Sequence, residues 1–120
     1  MMVNAEKLVM DWLNKDEFLA QYKARMVMPT KREERCITVE QTGGSSSYHV
    51  SNATIAVQVW AATRWDCSRI TTDVVVPRLM SIVELPEVAS VSVESVFNFP
   101  SPDYPTHNRY QILIQLILSN

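Results

Sequence analysis

Apolar residues near the start of the chain recur at helical spacing. Ala5, Leu8, Val9, Trp12 and Leu13 fall at i, i+3, i+4, i+7 and i+8, which predicts an amphipathic helix. Asn4 precedes it as an N-cap, and Glu6 sits in the first turn, where a negative charge meets the positive end of the helix dipole. Lys7, Asp11 and Asn14 form the solvated side. Phe18, Leu19 and Tyr22 either extend this helix or open a short second one. From Met26 to Glu34 the period disappears. Met28-Pro29-Thr30 reads as a connection, because proline lacks a backbone donor and disfavours helix in the residue before it.

Alternation takes over at Arg35. Ile37 and Val39 share one face of a strand, with Cys36, Thr38 and Glu40 on the other. Thr42-Gly43-Gly44-Ser45-Ser46-Ser47 reads as the turn or mobile tip that ends it, since a glycine pair reaches positive φ freely. Ser51 to Ala61 alternates again. Ala53, Ile55, Val57, Val59 and Ala61 face one way; Thr54, Ala56, Gln58 and Trp60 face the other. The two strands are expected to form an antiparallel hairpin across a loop of about ten residues.

Thr63-Arg64-Trp65-Asp66 has the form of a capping box with Asp in place of Glu. The helix it starts is expected to bury Cys67, Ile70, Thr71, Val74, Met80 and Ile82, and to end by Val83. Pro77 and the β-branched Val74-Val75-Val76 predict a kink or break near Asp73–Pro77. A third strand starts near Val88. Its phase slips after Val93, which predicts a β-bulge near Glu94-Ser95. Arg109 to Ser119 is the last strand. Tyr110, Ile112, Ile114, Leu116 and Leu118 line one face, and Gln111, Leu113, Gln115 and Ile117 the other. A strand semi-apolar on both faces belongs in the middle of a sheet or under a partner chain. The order α-β-β-α-β-β predicts an α+β fold, two helices on a mostly antiparallel four-stranded sheet. The expected organisation is one domain over residues 1–120: a helical part at 4–24, a linker at 25–34 and an αβ core at 35–119.

Composition narrows the partners. Of 120 residues, 47% are apolar and 20% charged, as in globular proteins. A net charge of −2 argues against nucleic acid as the main partner, because neutralising phosphates needs a basic face. Lys23, Arg25, Lys31, Arg32 and Arg35, partly offset by Glu33 and Glu34, read as a solvated loop. Two distant cysteines, Cys36 and Cys67, and a beginning without an export signal predict free thiols in a reducing compartment. No apolar run reaches the roughly 18 residues of a membrane span, so no membrane partner is expected.

Catalytic chemistry finds no constellation. Cys36, His49, Cys67 and His107 lack metal-site spacing, so neither a metal nor a cofactor is expected. Ser45, Ser46 and Ser47 lack a nucleophile-elbow context, and Cys67 falls on the apolar side of its helix. The chain is not expected to be an enzyme. Its aromatics have no basic stripe between them, so packing or an interface explains them better than base stacking.

Three stretches together carry a resemblance: Val39-Glu40-Gln41-Thr42-Gly43-Gly44, Ile55-Ala56-Val57-Gln58-Val59-Trp60-Ala61, and Pro102-Asp103 followed by Asn108-Arg109-Tyr110-Gln111. In this order, with a helix before the third, they resemble the tail terminator and tail completion proteins of long-tailed bacteriophages, especially those of actinobacterial hosts. The likeness spans about Cys36 to Ser119 and rests on order and spacing. It implies a structural virion protein, made in the host cytoplasm, that forms a ring, hexameric in that family. The ring caps the tail tube, stops its polymerisation and presents a surface to the head–tail connector, while DNA passes through the lumen. The contact elements expected on this basis contain Gly43, Gly44, Tyr48, Trp60, Phe97, Phe99, Pro102, Asp103, Tyr104, Arg109 and Tyr110. The second helix departs from the family pattern at Ile70–Pro77. A head-completion or connector protein of the same neck, or a small cytoplasmic ligand-binding α+β module, remains an alternative.

Overall fold

The computed structural model of the chain describes residues 3–27, 35–47, 49–103 and 107–119. The first helix, α1 (Ala5–Asn14), begins as the sequence predicts: Asn4 accepts a hydrogen bond from the Lys7 backbone N–H at 3.1 Å. Asp16 then caps a separate 3₁₀ turn, Leu19–Tyr22, by accepting from the N–H groups of Phe18 and Leu19. The short second element is therefore the one adopted. Met28-Pro29-Thr30 and the charges Lys31, Arg32, Glu33 and Glu34 lie outside the described residues.

Four strands follow: β1 (Cys36–Ser46), β2 (Val50–Ala61), β3 (Val88–Asn98) and β4 (Asn108–Ser119). They form one antiparallel sheet in the order β1-β2-β4-β3. The two-faced β4 is central, as its composition requires. The expected bulge in β3 falls between Val93 and Ser95, with a second irregularity between Val88 and Ser90.

The expectation for the glycine pair fails. Gly43 and Gly44 are not a turn. β1 runs through them, with a bulge between Gln41 and Gly43, and continues to Ser46. The reason is a close approach. Gly44 has φ +150°, and a Cβ there would lie 2.3 Å from the Asn52 carbonyl oxygen and 3.2 Å from Ala53 Cα. Only a residue without a side chain lets β1 and β2 meet there. The loop between the strands is accordingly far shorter than ten residues, and Ser47 N–H bonds back to Val50 O at 2.8 Å.

The second helical stretch runs as α2 (Arg64–Ile70), a π-helical turn (Thr71–Val75), α3 (Val76–Met80) and a 3₁₀ turn (Ser81–Glu84). Thr63 caps α2 by accepting from the Asp66 N–H. The disturbance expected before Pro77 takes the form of the π turn, which inserts one residue into the helical phase. Burial therefore passes through Cys67, Ile70, Thr71, Val75, Leu79 and Ile82, whereas Val74 is half-buried and Met80 exposed.

All helices cover one face of the sheet. Ala5, Val9 and Leu13 of α1, together with Cys67, Val75, Leu79 and Ile82, pack on Ile37, Ile55, Val57, Ile112, Ile114 and Leu116. Trp12 joins α1 to α3 by a two-way contact. Its indole N–H donates to Arg78 O at 2.8 Å, while Arg78 Nη2 donates to Trp12 O at 2.8 Å and the guanidinium lies 3.8 Å from the ring centroid.

The two sheet edges differ. At β1, Arg25 N–H donates to Ile37 O, Arg25 O accepts from Val39 N–H, and the Glu6 carboxylate accepts from Gln41 N–H at 2.9 Å. At β3, no segment among the described residues pairs with the outer edge.

Candidate interaction surface

Sheet register decides which expected contact residues can act together. The face away from the helices carries Thr38 on β1, Thr54, Ala56, Gln58 and Trp60 on β2, and Arg109, Gln111, Leu113, Gln115 and Ile117 on β4. Much of it is an amide and hydroxyl ladder. Thr38 Oγ1 donates to Gln58 Oε1, Gln58 Nε2 donates to Gln111 Oε1 at 2.9 Å, and Thr54 Oγ1 donates to Gln115 Oε1 at 2.8 Å. Gln115 Nε2 in turn donates to Asn52 Oδ1. Gln58 and Gln115 each spend both donor and acceptor on neighbouring strands, so the ladder itself is polar and uncharged, while Glu40, opposite Ala56, adds an exposed carboxylate to the same face.

At one end of that face an aromatic and cationic cluster stands up from the sheet. Trp60 pairs with Arg109 across β2 and β4. The guanidinium lies 5.0 Å from the Trp60 ring centroid and 4.2 Å from that of Phe99, a cation–π arrangement on both sides. Arg109 Nε donates to Phe99 O at 2.6 Å and Nη2 reaches Pro100 O at 3.4 Å. Arg109 thus ties β4 to the segment leaving β3. Phe97 and Phe99 meet edge to face at 5.5 Å, and both are exposed. Trp60 beneath them is only 2% exposed. Burial lowers the Arg109 pKa from its ordinary value, and the charge of Asp103 opposes the shift.

The remaining expected residues are elsewhere. Pro102 and Asp103 form an exposed turn beside this cluster. Tyr110 points to the other face, under α2, where hydrogen bonds with Ser68 and Arg64 lower its pKa. Gly43 and Gly44 sit at the far end of β2 from Trp60, seven residues or about 23 Å away. Tyr48 and Tyr104 lie outside the described residues. The expected residues therefore divide into one cluster, one helix-facing tyrosine and one distant strand element.

Sequence reasoning missed a second surface. Trp65, read as part of a cap, is 73% exposed on α2. Arg69 follows it at i+4 on the same side of the helix. Beside α2, a cleft of about 370 Å³ is lined by Phe18, Tyr22, Arg35, Asp66, Arg69 and Ile70. Arg35 lies 6.0 Å from the Tyr22 ring centroid. The available signal was phase: with Cys67, Ile70 and Thr71 inward, Trp65 points out.

Both cysteines are buried and reduced. Cys67 donates to Val59 O at 3.1 Å, and burial raises its pKa to about 11. The native chain therefore holds this proton more tightly than the unfolded one, whose thiol titrates near 9. Stability is full below pH 9 and falls as pH rises from 9 through 11, by roughly 3 kcal/mol over two pK units. Urea midpoints at pH 7.5 and 10.5 should differ for the native chain and differ less for Cys67→Ala. Equal pH sensitivity in both proteins contradicts this account.

Among the described residues, no group of three or more His, Cys, Asp or Glu is placed to hold a metal ion. The geometry defines an α+β protein with one helix-covered sheet face, one open face and exposed aromatic–arginine surfaces. Its fold is shared with a chain in the virion of a native gene transfer agent particle. The TM-score is 0.66 at 10% identity, covering 96% of this chain and 94% of that one. No family model matches the sequence, and no curated protein does.

Proposed function

We propose that this chain is a structural virion protein of a long-tailed phage or phage-like particle, and that it caps the tail tube as a ring. The observation that carries this reading is the end-to-end fold likeness to a chain of a gene transfer agent virion. The terminator-like order of Gly-Gly strand, Trp-Ala strand, helix and Pro-Asp hairpin supports the finer role. In this reading the ring is a hexamer that stops tube polymerisation and joins the connector. The uncharged amide ladder suits a particle through which DNA must pass, since it offers phosphates no cations along its length. The Trp60–Arg109–Phe99 cluster and the Pro102-Asp103 turn supply contact elements to the tube or the connector.

The test is tail length. Particles assembled without this protein should carry tails of uncontrolled, excessive length by negative-stain microscopy, with few joined to heads. Tails of normal length beside heads that leak DNA would move the protein to head completion.

A further inference from the structure

Most arginines among the described residues already have a task in the fold. Arg78 holds the Trp12 carbonyl and ring, Arg109 holds Phe99 O and Pro100 O, Arg25 bonds Lys23 O, and Arg64 bonds Tyr110. Arg35 and Arg69 differ. Among the described residues, their guanidinium groups neither donate a hydrogen bond nor pair with an acid. Both line the cleft of about 370 Å³ beside α2. Its floor is built from core residues, since Tyr22, Ala61 and Ile70 are buried. Phe18 is exposed in the same lining, with its ring 5.9 Å from that of Tyr22. The charges of Arg35, Asp66 and Arg69 all act on the Tyr22 hydroxyl, so the three side chains stand around it.

The segment carrying Phe18 and Tyr22 is held at both ends. Asp16 accepts from the Phe18 N–H at 3.0 Å, and the Asn14 side chain bonds both backbone groups of Ala24, at 3.0 and 2.9 Å. Lys23 between them has φ +52°, a backbone conformation that lysine rarely adopts. The cleft therefore exists before any ligand arrives, and filling it costs little ordering.

We propose that this cleft recognises an acidic peptide segment of a partner protein, one carboxylate meeting Arg35, Arg69 and the Tyr22 hydroxyl while an apolar neighbour packs on Phe18 and Ile70. A guanidinium is a planar fork that matches a carboxylate. The phenol adds a further donor. Asp66 can take a peptide N–H and repels a second anion close to the first, which favours a single carboxylate over a run of phosphates. The site depends neither on a ring nor on the tail role.

Nuclear magnetic resonance on the full chain tests it. The probe is a peptide of alternating glutamate and leucine blocked at both ends. Titrated to about 5 mM, beyond the weak end of specific binding, it should shift the Arg35 and Arg69 Nε–H signals and the Ala61, Ala62 and Ile70 amides to saturation. The same peptide with glutamine for glutamate should bind at least about tenfold more weakly, and so should the acidic peptide on Arg35→Gln/Arg69→Gln. Tyr22→Phe keeps the ring and should lose about threefold. Lys7→Gln/Lys15→Gln removes two cations outside the cleft and should bind as wild type does. Amide spectra unchanged away from the cleft establish that each variant is folded.

The proposal is overturned by the absence of saturable shifts, by equal binding of the glutamine peptide, or by an unaffected double arginine variant. Tighter binding of oligothymidylate than of the peptide would make the ligand a nucleic acid instead. Binding seen only in Glu33→Gln/Glu34→Gln would mean that the chain's own acids fill the site, and also overturns it. The tail-length test above is independent of all these results.

Discussion

Trp60→Ala should lower the melting temperature by roughly 12–20 °C. Truncating a buried tryptophan costs about 3–5 kcal/mol, and a chain of this length loses about 4 °C per kcal/mol. Trp60 is 2% exposed although it lies on the sheet face that no helix covers. Its indole carries one side of the Arg109 guanidinium, with the Phe99 ring 4.2 Å from the same cation. Removing the indole leaves a cavity and takes away one of the two rings that hold Arg109. The departing end of β3, tied to Arg109 through Phe99 O and Pro100 O, should loosen with it. Trp60→Phe keeps an aromatic face and should lose less than half as much. A melting temperature within about 3 °C of wild type for the alanine variant would show that this cluster is not a supporting element of the fold.

Gly44→Ala should cost about 2–3 kcal/mol, and Gly43→Ala close to nothing. The contrast isolates close approach from glycine content. A methyl at Gly44 meets the Asn52 carbonyl oxygen at 2.3 Å, which no side chain can relieve, and the backbone φ of +150° disfavours any L-residue. The β1–β2 ladder must open beyond the bulge. A methyl at Gly43 meets nothing nearer than Thr54 Cβ and Oγ1, both at 4.0 Å. Chemical denaturation of both variants measures the difference directly. Equal destabilisation would mean that the glycines serve flexibility after all.

These two positions also show where legibility in the sequence ends. Periodicity is local, so α1, β2 and the central place of β4 could be read from it. The slip after Val93 announced the bulge in β3. The Gly43-Gly44 pair misled because a glycine required by a neighbouring backbone looks the same as one required by a turn. Pro77 was visible as a disturbance, but the π turn that absorbs it was not. That single inserted residue moved burial from Val74 to Val75 and carried it on to Leu79 and Ile82, leaving Met80 outside the core. The candidate surfaces were harder still. Trp60 and Arg109 are 49 residues apart, and only strand register sets them opposite each other. The amide ladder consists of polar residues that each strand shows separately, while their pairing belongs to the sheet. Trp65 needed the phase of α2 before its exposure followed.

The half-blocked β1 edge limits what the open β3 edge can build. Arg25 and Glu6 occupy the outward backbone groups of β1 at Ile37, Val39 and Gln41, so a new strand cannot pair along that half of β1. A sheet with two full open edges can add strands on both sides and grow into a filament, whereas a half-blocked edge offers a full-length template on one side only. Full-length backbone pairing therefore joins two copies of this chain β3 to β3 and leaves no second site of equal length for a third.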